Sequence, residues 1–189
     1  MNAEEALQRL KEGNQRYVAG APTTTAQGDS DRKPLTGGQS PYAIILSCAD
    51  SRVVPELAFD TGLGEIFIIR VAGNVANVSS IASIEYAVAN LGTKLIVVMG
   101  HESCGAVGAA VAGGDAGPNL NQLVGYISPS VKKLGADAPL DRIIKDNANN
   151  SANTLTAESK IIADAVESGG VKILTAYYSL DSGQVEFGV

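Results

Sequence analysis

Four short, strongly apolar runs constrain this chain more than any other feature. They are YAIILS (42–47), EIFIIRV (65–71), KLIVVMG (94–100) and VKILTAYY (171–178). Each has the length of a strand, and each is too continuous to have one wet face. Such runs are strands buried on both sides, the signature of a parallel sheet. Helical patterns separate them. VSSIASIEYAVANLG sets Ile81, Ile84 and Val88 on one face, with Tyr86 beside it, and stops at Gly92. TLTAESKIIADAVESGG reads as one helix with a glycine stop. CGAVGAAVAGG reads as a small-residue helix packed close to a neighbour, and a weaker helical stretch after it is expected to break at Gly125 and Pro129. SLDSGQVEF reads as a hairpin into an edge strand.

The predicted fold class is therefore α/β. It has a mainly parallel sheet of about four strands plus an antiparallel edge strand, flanked by helices. Asn2 and Glu5 are spaced as a capping box. Ala6, Leu7, Leu10, Tyr17 and Val18 continue a helical stripe. Residues 20–41, rich in Pro, Gly, Thr, Ser and Asp, read as a loop or arm. Neither a repeat nor a linker divides the chain, so residues 1–189 are expected to form one domain, with 1–40 as N-terminal helix and arm and 41–189 as the α/β core.

Ligands of open parallel sheets bind at the carboxyl ends of the strands. Two chemistry-bearing stretches fall there. CADSR (48–52) follows the first run, and HESCG (101–105) follows the third. The second holds the only histidine, and the two hold both cysteines. Cys48, His101 and Cys104 are a set that zinc accepts, with a fourth position open. Cys104 would lie near a helix N-terminus, where the dipole favours a thiolate. Buried inert thiols or a Cys48–Cys104 disulfide are the alternatives. Asp50 and Arg52 add a carboxylate that can orient a water and a guanidinium that keeps it ionised.

Other chemistries lack parts. GHESCGAV has no Lys-Ser/Thr to make a phosphate loop, and GLGEIF lacks the third glycine of a dinucleotide fingerprint. With His101 on a metal, Ser51 and Ser103 have no general base. A net charge of −6 without a basic stripe argues against nucleic acid. The apolar runs are too short for a membrane span. The start MNAEEALQRLKEG lacks the basic-then-apolar order of a signal peptide. The expectation is a cytoplasmic protein, with a periplasmic or secreted location the alternative if a leader has been removed.

The C-x-D-x-R of CADSR, the H-x-x-C-G of HESCG, the segment RVAGN (70–74) and the closing YYSLDSGQVEF together resemble the β-class carbonic anhydrases over almost the whole chain. Many of those enzymes carry Asn where Val71 stands here. The resemblance implies Zn2+ held by Cys48, His101 and Cys104, with Asp50 and Arg52 as catalytic dyad. In some members the same Asp replaces water on zinc, so Asp50 also counts as a candidate ligand. It implies reversible hydration of CO2 to bicarbonate by zinc-bound hydroxide, with hydrolysis of carbonyl sulfide or carbon disulfide as the alternative. Of the family's two pocket types, the chain resembles the one with an open zinc site, with Gln39, Phe67 and Tyr86 around the substrate. The type with an inhibitory bicarbonate site carries a Trp, and this chain has none. The Gln39 amide would donate to the oxygen that gains charge, Phe67 and Tyr86 would form a dry wall, and the Gly105 N–H would contact bicarbonate. The family also implies a homodimer or higher homo-oligomer, with the N-terminal helix on a neighbour and the site at the interface.

Overall fold

The computed structural model describes residues 1–24 and 27–189. Its centre is a five-stranded sheet built from β1 (Ala43–Ser47), β2 (Ile66–Arg70), β3 (Leu95–His101), β4 (Lys172–Tyr178) and β5 (Val185–Phe187). The order is β2-β1-β3-β4-β5. The first four strands are parallel, and β5 runs antiparallel to β4 at one edge. Every residue of β1 and β3 is buried, as the continuous apolar runs require.

Side chains alternate across a strand, so each strand feeds two cores. Ile45, Val97 and Met99 face one side, where α1 (Ala3–Val18) buries Ala3, Ala6 and Leu10 among them. Ile44, Leu46, Ile96 and Val98 face the other. There α4 (Val78–Leu91) supplies Ile84 and Ala87. Two more helices, α7 (Leu140–Glu158) and α8 (Lys160–Glu167), supply Leu155 and Ile162. A third cluster caps the carboxyl end of the sheet. It joins Cys48 and Cys104 to Val107 of α5 (Gly105–Ala112), Ile127 of α6 (Pro118–Leu134), and Ile143 and Ile144 of α7.

The capping box forms: Asn2 Oδ1 accepts from the Glu5 N–H, and the Glu5 carboxylate accepts from the Asn2 N–H. The stop of α4 also forms, with Gly92 at φ 68° in the left-handed region.

Four local expectations fail for identifiable reasons. EIFIIRV and VKILTAYY are not buried throughout: β2 forms an edge of the sheet and is half-buried or exposed along its length, and β4 is buried only at Thr175, Ala176 and Tyr178. The expected break at Gly125 and Pro129 is absent, and α6 runs unbroken through both. Ile127 and Ser130 are buried beneath it, so packing outweighs the lost proline hydrogen bond, and Ser128 Oγ donates to the Val124 carbonyl in that turn. TLTAESKIIADAVESGG is not one helix. Ser159 is extended between α7 and α8, its hydroxyl accepting from the Ile162 N–H and donating to Glu85. The segment read as a loop or arm holds α2 (Asp29–Arg32) and a 3-10 turn over Lys33–Gly37, and a single helical turn, α3 (Pro55–Ala58), follows CADSR. The Asp31 carboxylate accepts from the Gly28 N–H and starts α2. No helix among the described residues is long and apolar enough to cross a membrane.

Candidate metal centre

Parallel register builds the site. Ser47 at the end of β1 pairs with Arg70 on one side and Met99 on the other. Cys48 therefore emerges level with the end of β3, whose last residue is His101. Beyond His101 the chain turns sharply at Ser103, a non-glycine residue at φ 55°. The turn brings Cys104 back as the N-cap of α5, facing the same point as His101.

The Cys48, His101 and Cys104 ligand atoms all lie within 4.8 Å of one another, and all three residues are buried. The sulfurs are free thiols 4.0 Å apart, not a disulfide. His101 Nδ1 donates to the Glu102 carbonyl at 2.9 Å, since a carbonyl can only accept. That fixes the tautomer and leaves a lone pair on Nε2. Nε2 is buried without a hydrogen-bond partner among the described residues. A buried, unpaired imidazole nitrogen is costly by itself, and a metal ion would satisfy it.

The electrostatics of the cluster favour a thiolate. Cys48 is held well below the usual thiol range, first by its hydrogen bond with Cys104 and then by the N–H groups of Gly73 and Asp50. This outweighs the opposing penalty of burial. The Gly73 N–H lies 3.3 Å and the Asp50 N–H 3.4 Å from the sulfur. Cys104 is pushed up by the same contact with Cys48, so the pair shares one proton.

Asp50 and Arg52 stand at the mouth. Arg52 Nε and Nη2 donate to the two Asp50 oxygens at 3.0 and 2.8 Å, and the Arg52 N–H donates to Oδ1 at 2.9 Å. This fork holds the Asp50 carboxyl well below the usual carboxylate range. Asp50 Oδ2 is also 3.9 Å from His101 Nε2, so the carboxylate borders the cluster. Arg52 Nη2 reaches the Ser103 carbonyl at 3.4 Å and ties the two motifs together.

Sequence reasoning gave Arg70 no role of its own. Its Nε donates to the Cys48 carbonyl at 2.9 Å and its Nη2 to the Asp50 carbonyl at 2.6 Å, clamping the CADSR loop. The available signal was a lone arginine closing an apolar strand at the level of Ser47.

Gly105 opens α5 beside Cys104. Phe67, Tyr86 and Gln39 are not brought to this chain's own cluster. Phe67 pairs with Ile44, four residues before Cys48, a separation of about 13 Å along the strand. Its ring packs on that of Tyr86, 6.4 Å between centroids, and Tyr86 is 49% exposed. Gln39 is exposed and precedes β1, at the opposite end of that strand from Cys48.

Fold and site together define an α/β protein with a candidate metal centre at its strand ends, where Cys and His ligands meet an Arg-held Asp. Comparison with known proteins narrows that class. The carbonic anhydrase family model matches residues 43–185. The chain is 40% identical over 189 residues to carbonic anhydrase 2 of Mycobacterium tuberculosis, covering 97% of this chain and 91% of that protein. It is 41% identical over 192 residues to the carbonic anhydrase of Mycolicibacterium smegmatis, covering 98% and 93%. Among solved structures, the β-carbonic anhydrase of Coccomyxa, in complex with acetazolamide, overlays with a TM-score of 0.76 at 26% identity, covering 95% and 85%. A tetrameric β-carbonic anhydrase of Sordaria macrospora shares the fold with a TM-score of 0.77 at 22% identity, covering 97% and 96%. The chain belongs to the carbonic anhydrase family, as an enzyme of its β class.

Proposed function

We propose that the chain is a zinc enzyme hydrating CO2 reversibly to bicarbonate, with Cys48, His101 and Cys104 as ligands and Asp50 and Arg52 as the catalytic dyad. The observation that carries it is the buried His101 Nε2, without a hydrogen-bond partner among the described residues, facing two thiols beside an ionised carboxylate. The sulfur spacing of 4.0 Å compares with about 3.8 Å for two thiolates on tetrahedral zinc with bonds of about 2.3 Å. Zinc bound there supplies a water acidified enough to serve as a nucleophile.

The chain's own residues do the rest. Asp50, kept ionised by Arg52, is an acceptor only. It takes a hydrogen bond from a water at the cluster and aims that water's lone pair outward. Arg52 occupies the rest of the carboxylate and stops it turning away. Arg70 fixes the backbone that carries both Cys48 and Asp50. The Gly105 N–H contacts bicarbonate.

The assembly is a homodimer or higher homo-oligomer. The Sordaria macrospora relative is tetrameric. Phe67, Tyr86 and Gln39 lie on or near this chain's surface, remote from its own cluster. In an assembly, a neighbour's copies of these residues line the pocket, with the Gln39 amide donating to the substrate oxygen that gains charge. That the curated relatives are named carbonic anhydrases supports the reading of CO2, rather than carbonyl sulfide, as the substrate. Asp50→Ala tests the reading: CO2 hydration is lost while zinc content stays at the wild-type level. Unchanged hydration in that variant refutes the mechanism.

A further inference from the structure

We propose that Asn147 is a positioning residue of the metal centre, acting through the backbone of Gly73 on the Cys48 sulfur. The inference rests on the reading of Cys48 as a metal ligand. Asn147 lies on α7, fully buried, in a row with Ile143, Ile144, Ala148 and Leu155. An amide among such neighbours is costly unless its hydrogen-bonding capacity is used. Here half of it is idle, since Oδ1 has no partner among the described residues. The other half has one target: Nδ2 donates to the Gly73 carbonyl at 2.8 Å. An apolar side chain of the same size would pack as well and leave no orphan oxygen. The donor on Nδ2 is what such a replacement lacks.

Gly73 carries that bond to the site. Its carbonyl is held by Asn147, and its N–H donates to Cys48 Sγ at 3.3 Å. The residue sits at φ 71° in the turn Ala72–Asn74. A Cβ there would lie 2.8 Å from Ile127 Cδ1 and 3.3 Å from Ala106 Cβ, so the turn is pressed against α5 and α6. Packing fixes where the turn sits. The Asn147 bond fixes how its peptide groups are rotated, and thereby the aim of the N–H at the sulfur. An N–H donor withdraws electron density from a thiolate and orients its lone pairs, which tunes the metal those lone pairs hold.

The experiment uses the full chain, stripped and reloaded with Co2+ or Zn2+, in three forms: wild type, Asn147→Leu and Asn149→Ala. Asn149, also on α7, donates to the Lys145 and Val189 carbonyls and serves as control. Zinc affinity is read by competition with a chromophoric chelator, and the thiolate-to-cobalt charge-transfer band by absorption. Asn147→Leu weakens zinc binding by about tenfold. It also moves the band to longer wavelength, because a thiolate without its N–H donor gives up electrons more easily. Asn149→Ala changes neither. Should Asn147→Leu not fold, Asn147→Ala is read the same way. If the Asn147 variant only lowers the melting temperature of the metal-free chain, with affinity and band unchanged, Asn147 is merely structural and the inference is overturned. A wild type that takes up neither metal overturns the metal-site reading and this inference with it.

Discussion

Gly73→Ala probes the turn that links the packed helices to the Cys48 sulfur. The new residue must hold φ 71°, in the left-handed region, at a cost of about 1–2 kcal/mol. Its Cβ would lie 2.8 Å from Ile127 Cδ1 and 3.3 Å from Ala106 Cβ. Ile127 is fully buried and cannot swing into water, so overpacking adds about 1–3 kcal/mol. The stiffer unfolded chain gives back about 0.4–1 kcal/mol. The net destabilisation is about 1–4.5 kcal/mol, or about 2–18 °C in melting temperature at about 2–4 °C per kcal/mol for a chain of this size. Thermal unfolding of the metal-free protein, followed by circular dichroism, measures it. Zinc affinity measured alongside falls too, because any shift of the turn moves the Gly73 N–H off the sulfur. A melting temperature within about 1 °C of wild type refutes the reasoning, since it would mean the turn admits a Cβ without strain.

Three further outcomes follow from the same geometry. Arg52→Ala removes the fork that holds Asp50; kcat for CO2 hydration falls by at least about tenfold, with zinc content unchanged by elemental analysis. The Asp60 side chain is 1% exposed and paired with Arg16 at 2.5 Å. Burial pushes its carboxyl up, but donors from the Thr23 and Thr24 N–H groups, the Thr23 hydroxyl and Arg16 outweigh this and hold it well below the carboxylate range. A depressed folded-state pKa stabilises above the unfolded value and fades as pH falls below it. Asp60→Asn therefore costs about 2 kcal/mol near neutrality in urea denaturation, and the gap to wild type narrows below about pH 4. Finally, His101 is the only histidine, so once it binds metal no imidazole shuttles protons. CO2 hydration measured by stopped flow rises with buffer concentration and toward alkaline pH, and turnover independent of buffer counts against the site as described.

β1 and β3 were legible because a strand buried on both faces leaves a continuous apolar run, as AIILS and LIVVMGH do, whereas β2 has an equally apolar run at a half-buried sheet edge. CADSR and HESCG were legible as one site because both follow such runs, and parallel register brings strand ends together. The support of the site was not. Arg70 reaches Cys48 across 22 residues, and Asn147 reaches Gly73 across 74, and no local pattern encodes either contact. Helix ends were misread where tertiary contacts override propensity. Ile127 carries α6 through Pro129, and Ser159 breaks an otherwise periodic helix by binding Glu85. Gln39, Phe67 and Tyr86 came from family resemblance alone. Their distance from Cys48 within one chain is a fact of register, visible only once Phe67 is paired with Ile44.

Cys48, His101 and Cys104 are proposed to form a zinc site that hydrates CO2. The decisive assay is stopped-flow CO2 hydration, followed on one sample through chelation and reloading. Activity is expected to disappear as zinc is withdrawn and to return in proportion to the zinc restored. Hydration that persists in the fully stripped chain, or stays absent after stoichiometric zinc has been bound, would contradict that proposal.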